Sequence, residues 1–424
     1  MSWLRVWAVG ISVGLSKTLS SRRLLSVFST LVKIKSFSGF TMALRGVQVL
    51  EIPGLAPGPV CGMILSNFGA KVIRVDKLPS DATVGFDSVD HGKFSMSVDM
   101  KNPRGIEIIK HLTKTCDIFL DPYRPGVMEN LGLGPADLQK NNQRLIYARL
   151  SGFGQTGPLA QKAGHDINFL SISGTLSNLQ WEGKPPNPPL NILGDFGGGA
   201  FTCALGIILA LYERHTSGKG QIVDCSMTRG AAYLSSWIFR TQNTYLWSEP
   251  TGKNFLDGGC YFYNIYKTKD GKWMAVGSLE EKFYLQLLEG LNISVDDLPY
   301  LSDNEIGKEM LTKRFLEETQ DYWIKVFSNL DACVTPVLTQ EEAASYEHNK
   351  SQNSFQRSAD GCLIPHPEPN LSRTPGNSGC YLHPPKCGEH TYTILKESGF
   401  NKDEIKQLQS EKIIYIEEKG QAKL

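Results

Sequence analysis

The sequence predicts an α/β protein: a large domain built on a parallel sheet with helices on both faces, followed by a smaller α+β domain. Three observations predict it. From Leu44 to about residue 235, short apolar runs that read as strands alternate with helical segments, and that alternation implies parallel strands joined by helical crossovers. Near Gly252 the texture changes, and two aromatic-rich runs flank Lys269-Asp270-Gly271, a hairpin signature. The chain has 424 residues with 41% hydrophobic content, enough for two or three buried cores. These features divide the chain into a leader at 1–41, a large domain at 42–235, a small domain at 236–345 and a segment at 346–424 that returns to the large domain.

Within the large domain, Val47 to Ile52 reads as a buried strand closed by Pro53-Gly54. A helix from Pro59 to Phe68 stops at Gly69. Lys71 to Asp76 is the second strand and Phe94 to Met100 the third. Pro103 opens a helix, a first-turn position where its missing N–H costs nothing, and Ile106, Ile109 and Leu112 form its apolar stripe. Asp117 to Leu120 and Leu145 to Leu150 are the next strands. A long apolar helix spans about Ala200 to Tyr212, followed by a strand at Gln221 to Asp224 and a helix from Thr228 to Phe239. In the small domain, Tyr261 to Tyr266 and Trp273 to Gly277 form the hairpin, and helical segments run from Glu281 to Gly290 and Glu305 to Leu330. The stretch from Ser351 to Cys387, rich in Pro, Ser, Asn and His, reads as extended. A last helical unit covers Thr391 to Gln409.

Charge is balanced, with Lys+Arg 44 against Asp+Glu 43, so nothing points to nucleic acid. The nine cysteines are scattered without a C-x-x-C, which disfavours a zinc site and reads as reduced intracellular thiols. No acidic residue precedes Glu51, while Arg5, Lys17, Arg22, Arg23, Lys33, Lys35 and Arg45 do; that is mitochondrial presequence composition. The apolar run from Val6 to Leu15 is short of the roughly 20 residues a membrane span needs, and Met42 offers a second start. The terminal Ala422-Lys423-Leu424 is close to the peroxisomal tripeptide, which implies an import receptor as partner. The expected locations are therefore peroxisome and mitochondrion.

Two short segments carry candidate chemistry: Gly164-His165-Asp166-Ile167-Asn168-Phe169 and Gly194-Asp195-Phe196-Gly197-Gly198-Gly199. Taken singly, His165 reads as a surface or capping histidine, and Asp195 as the N-cap of the helix that follows. The glycines are harder to dismiss, since they weaken a helix and are best explained by something approaching the backbone closely. Taken together, the segments supply two proton acceptors. Removing a proton α to a thioester needs a base at the carbon and donors at the enolate oxygen, and inverting the carbon needs a second group on the opposite face. Histidine titrates near neutrality. A carboxylate at a helix N-terminus is held ionised by the dipole, leaving Asp195 as base in one direction and acid in the other. The Asp166 backbone N–H is the natural donor to the oxygen. Lys77, Lys93, Lys101, Arg104 and Arg124 lie at loop positions suited to phosphates. The chain has no G-x-G-x-x-G, G-x-S-x-G or H-E-x-x-H, so dinucleotide, serine-hydrolase and zinc-protease readings lack their fingerprints.

Longer motifs carry a resemblance. Leu55-Ala56-Pro57-Gly58-Pro59, Arg74-Val75-Asp76, Tyr123-Arg124-Pro125-Gly126-Val127, Arg149-Leu150-Ser151-Gly152-Phe153-Gly154-Gln155, Gly164-His165-Asp166-Ile167-Asn168 and Gly388-Glu389-His390-Thr391 resemble the acyl-CoA racemase branch of the family III CoA-transferases, from about Met42 to the C-terminus. The resemblance implies a Rossmann-like large domain in an interlocked homodimer, with each active site between the large domain of one subunit and the small domain of the other. It implies 1,1-proton transfer at C2 of 2-methylacyl-CoA esters, such as pristanoyl-CoA and bile-acid precursor esters, with no cofactor beyond the coenzyme A of the substrate and no metal. His165 and Asp195 fall on the two bases, and Glu280 falls on the carboxylate that orients the histidine. Coenzyme A contacts carry over to Lys77, to Val98, Asp99, Met100 and Lys101, to Arg124, and to Gly164, His165, Asp166, Ile167, Asn168 and Phe169. Lys77 stands where the family often has arginine. The rival within the family is a CoA-transferase in which Asp195 is a nucleophile; transferases of the family generally lack the Gly-His-Asp segment.

Overall fold

A computed structural model of the chain describes residues 42–79, 89–358 and 360–417. The leader at 1–41 and the terminal tripeptide lie outside the described residues. The first body is a seven-stranded sheet. Strands β1 (Gln48–Glu51), β2 (Lys71–Asp76), β3 (Phe94–Val98), β4 (Ile118–Asp121), β5 (Ile146–Ser151) and β6 (Ile222–Ser226) run parallel in the spatial order β3-β2-β1-β4-β5-β6. A short C-terminal strand (Ile414–Tyr415) adds antiparallel beside β3, with Ile414 opposite Val98.

Both faces of β1 to β5 are largely buried, which is why they read as continuous apolar runs rather than as alternation; the edge strand β6 is buried only at Cys225 and Ser226. Neighbouring residues on a strand point to opposite faces. Val49, Val72, Ile118 and Ile146 therefore meet Cys61 and Leu65 of α1 (Pro57–Asn67), and Cys203 and Ile207 of a long helix beyond β5. Leu50, Ile73, Phe119 and Tyr147 meet Ile106, Ile109 and Leu112 of α2 (Pro103–Thr113). That second layer also contains Ile394, Leu395, Ile405 and Leu408 from the end of the chain, so the C-terminal segment does return to the large body. Asn102 caps α2, its side chain accepting the Arg104 N–H at 3.0 Å.

Crossing from β5 to β6, the chain forms α3 (Asp166–Ser173), a π-helix (Ile192–Phe201) and α4 (Thr202–Ser217). The sequence placed a single α-helix from Ala200; the glycine-rich run before it is helical too, but wound with i to i+5 bonds, the first from Phe196 N–H to the Asn191 carbonyl at 3.2 Å. Together Ile192–Ser217 is the one described stretch long and apolar enough to cross a bilayer. Its inner stripe, Cys203, Ala204, Ile207, Ala210 and Leu211, is packed on the sheet, whereas Phe201, Leu205, Ile208, Leu209 and Tyr212 are exposed. After β6 come α5 (Met227–Leu234) and α6 (Ser236–Thr241), broken at Ser235, where the sequence suggested one helix.

The small body is the expected hairpin, β7 (Tyr263–Lys267) and β8 (Trp273–Gly277), with Tyr266 opposite Met274. Strand β9 (Val334–Pro336), which the sequence did not signal, pairs with β8. Helices α7 (Glu281–Leu291), α8 (Asn304–Phe315) and α9 (Gln320–Phe327) close a core of Tyr261, Tyr284, Leu287, Phe315 and Trp323. The single helix expected over 305–330 is two: the first ends at Phe315 with Leu316 as its cap, and Thr319 caps the second by accepting the Tyr322 N–H. Two short helices (Gln340–Ser345, Glu347–Ser351) precede the segment expected to be extended, which holds a hairpin of β10 (Phe355–Arg357) with β11 (Leu363–Pro365). The last helical unit divides into α10 (Thr391–Glu397) and α11 (Lys402–Ser410), parted by Gly399 at φ +97° and by Asn401, which caps α11.

Candidate active site

In a parallel α/β sheet the carboxyl ends of the strands share one edge, and ligands bind there. Most of the candidate residues are gathered on that edge: Lys77 follows β2, Val98 to Lys101 close β3, Arg124 follows β4, and the chain leaving β5 leads to Gly164 and His165 at the mouth of α3. Lys77 is exposed, and its carbonyl is fixed by the Ser97 hydroxyl at 3.1 Å and the Cys387 thiol at 3.4 Å. Asp99 binds the Lys101 N–H at 2.9 Å and leaves the lysine side chain exposed. Arg124 is exposed, with one guanidinium nitrogen on the Gln161 carbonyl at 3.2 Å. Met100 is half-buried and Val98 buried, so Val98 has only its backbone to offer a ligand. Lys93 does not belong with the phosphate candidates. It is buried, paired with Glu51 at 2.9 Å and Asp90 at 2.7 Å, and donates to the Pro59 carbonyl. Arg104 is engaged by Glu411.

His165 occupies the N-cap of α3 and is exposed. Its N–H donates to the Asn168 side chain at 3.0 Å, and its carbonyl accepts the Asn168 N–H at 2.8 Å. No acceptor takes the Asp166 N–H among the described residues, as expected of an amide in the first turn of a helix. Phe169 is buried edge-on against Phe153 at 5.0 Å. Its ring fills the space that a Cβ on Gly152 or Gly164 would enter, at 2.1 and 2.7 Å respectively. Ile167 and Asn168 are exposed beside His165.

Asp195 is not the N-cap of its helix. Asn191 holds that place, and Asp195 lies in the first turn of the π-helix, 7% exposed. Its N–H donates to Asp166 Oδ1 at 2.7 Å, and its Oδ2 accepts from Asn191 Nδ2 at 2.7 Å. Asp166 is itself 3% exposed, and its other oxygen, Oδ2, has no hydrogen-bond partner among the described residues. The dipole argument therefore does not govern Asp195. Burial is the largest effect and pushes its carboxyl above the ordinary aspartate value; the Asn191 hydrogen bond opposes it, the Asp166 charge adds to it, and the nearby His165 opposes it. A carboxyl raised in this way is a stronger base when ionised and more easily protonated.

The glycines on either side of Asp195 answer to protein, not ligand. A Cβ on Gly194 would meet Asp166 Oδ1 at 2.5 Å, one on Gly197 would meet Leu234 at 2.8 Å, and one on Gly198 would meet the Ala231 nitrogen at 2.4 Å. Gly230 of α5 returns the contact, its Cβ position only 1.8 Å from the Gly198 carbonyl oxygen. Two glycines thus let the π-helix and α5 touch backbone to backbone.

Glu280 stands apart from this group. It is the exposed N-cap of α7 in the small body, and no hydrogen bond or ion pair joins it to His165 within the chain among the described residues. Neither the Asp166 side chain nor Asn191 was singled out by sequence reasoning. The only prior signal was an asparagine just ahead of the glycine-rich run, a residue type that tolerates left-handed backbone. Among the described residues no group of three or more His, Cys, Asp or Glu is placed to hold a metal.

Residues 44–391 match CoA-transferase family III. The α-methylacyl-CoA racemase of Homo sapiens is 49% identical over 376 residues, covering 88% of this chain and 98% of that protein. Its Mus musculus counterpart is 48% identical over the same shares. In fold, the crystal structure of a CAIB/BAIF family protein from Brucella suis superposes with a TM-score of 0.71 at 21% identity, covering 84% of this chain and 99% of that one.

Proposed function

Since the chain belongs to CoA-transferase family III and is 48% and 49% identical to two α-methylacyl-CoA racemases, we propose that it is an isomerase interconverting the 2R and 2S epimers of 2-methylacyl-CoA esters. The observation that carries this reading is the placement of His165 beside a buried Asp195, with the Asp166 N–H unengaged at the head of the same helix. Asp195 and His165 stand on opposite faces of C2, one removing the proton and the other returning one. The Asp166 N–H holds the oxygen of the intervening enolate. Coenzyme A lies along the carboxyl edge of the sheet, with Lys77, Lys101 and Arg124 toward its phosphates. No cofactor other than the substrate's own coenzyme A takes part. Branched fatty acyl-CoAs such as pristanoyl-CoA and bile-acid precursor esters are the substrates, and the product epimer feeds β-oxidation.

The working unit is a dimer in which Glu280 of one subunit's small body orients His165 of the other. Its support is the exposed apolar face of α4 together with the separation of Glu280 from His165 within one chain. The enzyme acts in peroxisomes and mitochondria, directed by the terminal tripeptide and the basic leader of the sequence.

Incubation in D2O tests the reaction: each epimer incorporates deuterium at C2, and His165→Ala or Asp195→Ala abolishes epimerisation. Absence of C2 deuterium from the wild-type protein refutes the racemase. The family also contains CoA-transferases, in which an aspartate at this place would form a mixed anhydride and then a thioester. A hydroxylamine-trappable adduct on Asp195 would turn the reading to that chemistry.

A further inference from the structure

Leu190 and Asn191, the two residues ahead of the π-helix, both sit in left-handed backbone, at φ 53° and 64°. For a residue with a Cβ this conformation is strained, and such residues persist where the surrounding structure holds them. The turn aims Asn191 at Asp195. Its Nδ2 donates to Asp195 Oδ2 at 2.7 Å, and its carbonyl accepts the Phe196 N–H at 3.2 Å, the bond that opens the π-helix. One residue thus sets both the start of the helix and one oxygen of the carboxyl.

An amide NH2 can only donate. Facing Oδ2, it favours the ionised carboxylate and leaves Oδ1 as the oxygen able to take a proton. We propose that Asn191 is the positioning residue of Asp195: its side chain fixes the carboxyl rotamer, stabilises the anion, and reserves Oδ1 for proton exchange with the substrate. This rests on Asp195 being a proton-transferring group.

The other charged groups facing Asp195 are known. From α3 come His165 and Asp166, which oppose each other in their effect on the carboxyl. Helix α5, packed against the π-helix, offers Arg229, which is tied to Asp224 at 2.8 Å. Helix α1 carries no charged residue. Asn191 is therefore the neutral donor working against burial and the Asp166 charge.

Two variants separate positioning from mere structure. Asn191→Gly keeps the left-handed backbone without strain and removes the donor. Asn191→Asp is isosteric, keeps a residue that tolerates this conformation, and turns the donor into a like charge. The two directions of epimerisation draw on enzyme forms with the same number of protons: ionised Asp195 with protonated His165, or neutral Asp195 with neutral His165. The acid limb of kcat/KM against pH therefore moves together in both directions. Loss of a hydrogen bond to a charged group raises it by about one pH unit in Asn191→Gly, and further in Asn191→Asp. At pH below the limb this adds about a tenfold loss to the smaller, pH-independent loss that follows from freeing the carboxyl rotamer. A merely structural role would lower kcat at every pH and leave the limb in place. The Asp195 carboxyl is titrated independently of turnover by infrared difference spectra of carbon-13 aspartate-labelled protein, each against its own Asp195→Asn partner. An unmoved titration in both variants overturns the proposal even if the protein proves not to exchange the C2 proton. An upward shift in both upholds it.

Discussion

The crossing of the π-helix and α5 gives the sharpest prediction from structure to rate. A Cβ on Gly230 would stand 1.8 Å from the Gly198 carbonyl oxygen and 2.9 Å from its Cα. Both are backbone atoms, so no side-chain rotation relieves the clash. To bring the closest pair toward ordinary contact, α5 and the π-helix must part by more than about 1 Å. Overpacking of this kind costs about 1–3 kcal/mol, which lowers Tm by several degrees. The π-helix moves as a unit with Asp195, and a displacement of about 1 Å in a proton-transferring group costs about 10²-fold in rate. Gly230→Ala should therefore show a modest fall in thermal unfolding temperature and a much larger fall in C2 deuterium incorporation. Gly198→Ala, with its Cβ 2.4 Å from the Ala231 nitrogen, loads the same crossing, so the double variant should lose less than the sum of the two. A folded Gly230→Ala protein with wild-type exchange would show that this crossing does not set the position of Asp195.

Two further outcomes follow from burial. Lys93→Met leaves Glu51 and Asp90 buried without their lysine, a loss of about 3–5 kcal/mol measurable by chemical denaturation. Burial pushes the Glu51 carboxyl from 4.5 up to about 7. The folded state therefore holds a proton that the unfolded state releases above 4.5, and this group's contribution to stability falls as pH rises from about 4.5 to about 7. The Lys93→Met deficit should be larger at pH 8 than at pH 5, and Glu51→Gln should flatten that part of the profile; equal deficits would contradict the assignment. If the proposed dimer packs on the outer face of α4, Leu205→Glu with Leu209→Glu, at positions already exposed, shifts sedimentation to the monomer with little effect on the core, and unchanged sedimentation would count against that face.

The central strands of the large sheet were legible because each is a short apolar run between turn residues, as with β2, whose four central residues are buried. Helix ends were less legible. The breaks at Ser235, Leu316–Thr319 and Gly399 fall in patterns whose periodicity continues across them, and capping by Thr319 or Asn401 shows only once the chain is folded. The short strands β9, β10 and β11 carry too few residues for alternation to register. In the site, the sequence brought out His165 and Asp195 through their glycine neighbours, yet the reason for the glycines was different: Asp166 and α5 press on that backbone, contacts between segments far apart in the chain. Lys93 looked like a loop lysine because a single sequence does not report a buried carboxylate 42 residues upstream. Asp195 looked like a cap because burial and the Asp166 charge, which raise its proton affinity, and the Asn191 amide, which opposes them, come together only through geometry.

Glu280 poses the question that the single chain leaves to assembly. It heads α7 in the small body, exposed, while His165 heads α3 in the large one, also exposed, and nothing joins them within a chain among the described residues. If the two meet across a dimer, each site takes its histidine from one subunit and its glutamate from the other. Co-expression of His165→Ala and Glu280→Ala chains distinguishes the arrangements. Each homodimer is inactive. In a mixed dimer, one site combines both lesions, but the other combines an intact His165 with an intact Glu280 and works. Half of the sites in the mixed dimer are intact, so the purified heterodimer shows about half of wild-type activity. If instead Glu280 serves His165 of its own chain, every site in the mixed dimer carries one lesion and no activity returns. The readout is C2 deuterium incorporation by the co-purified heterodimer, selected by two different affinity tags. A heterodimer without activity would refute the shared site, and would require the small body to swing Glu280 onto its own large body.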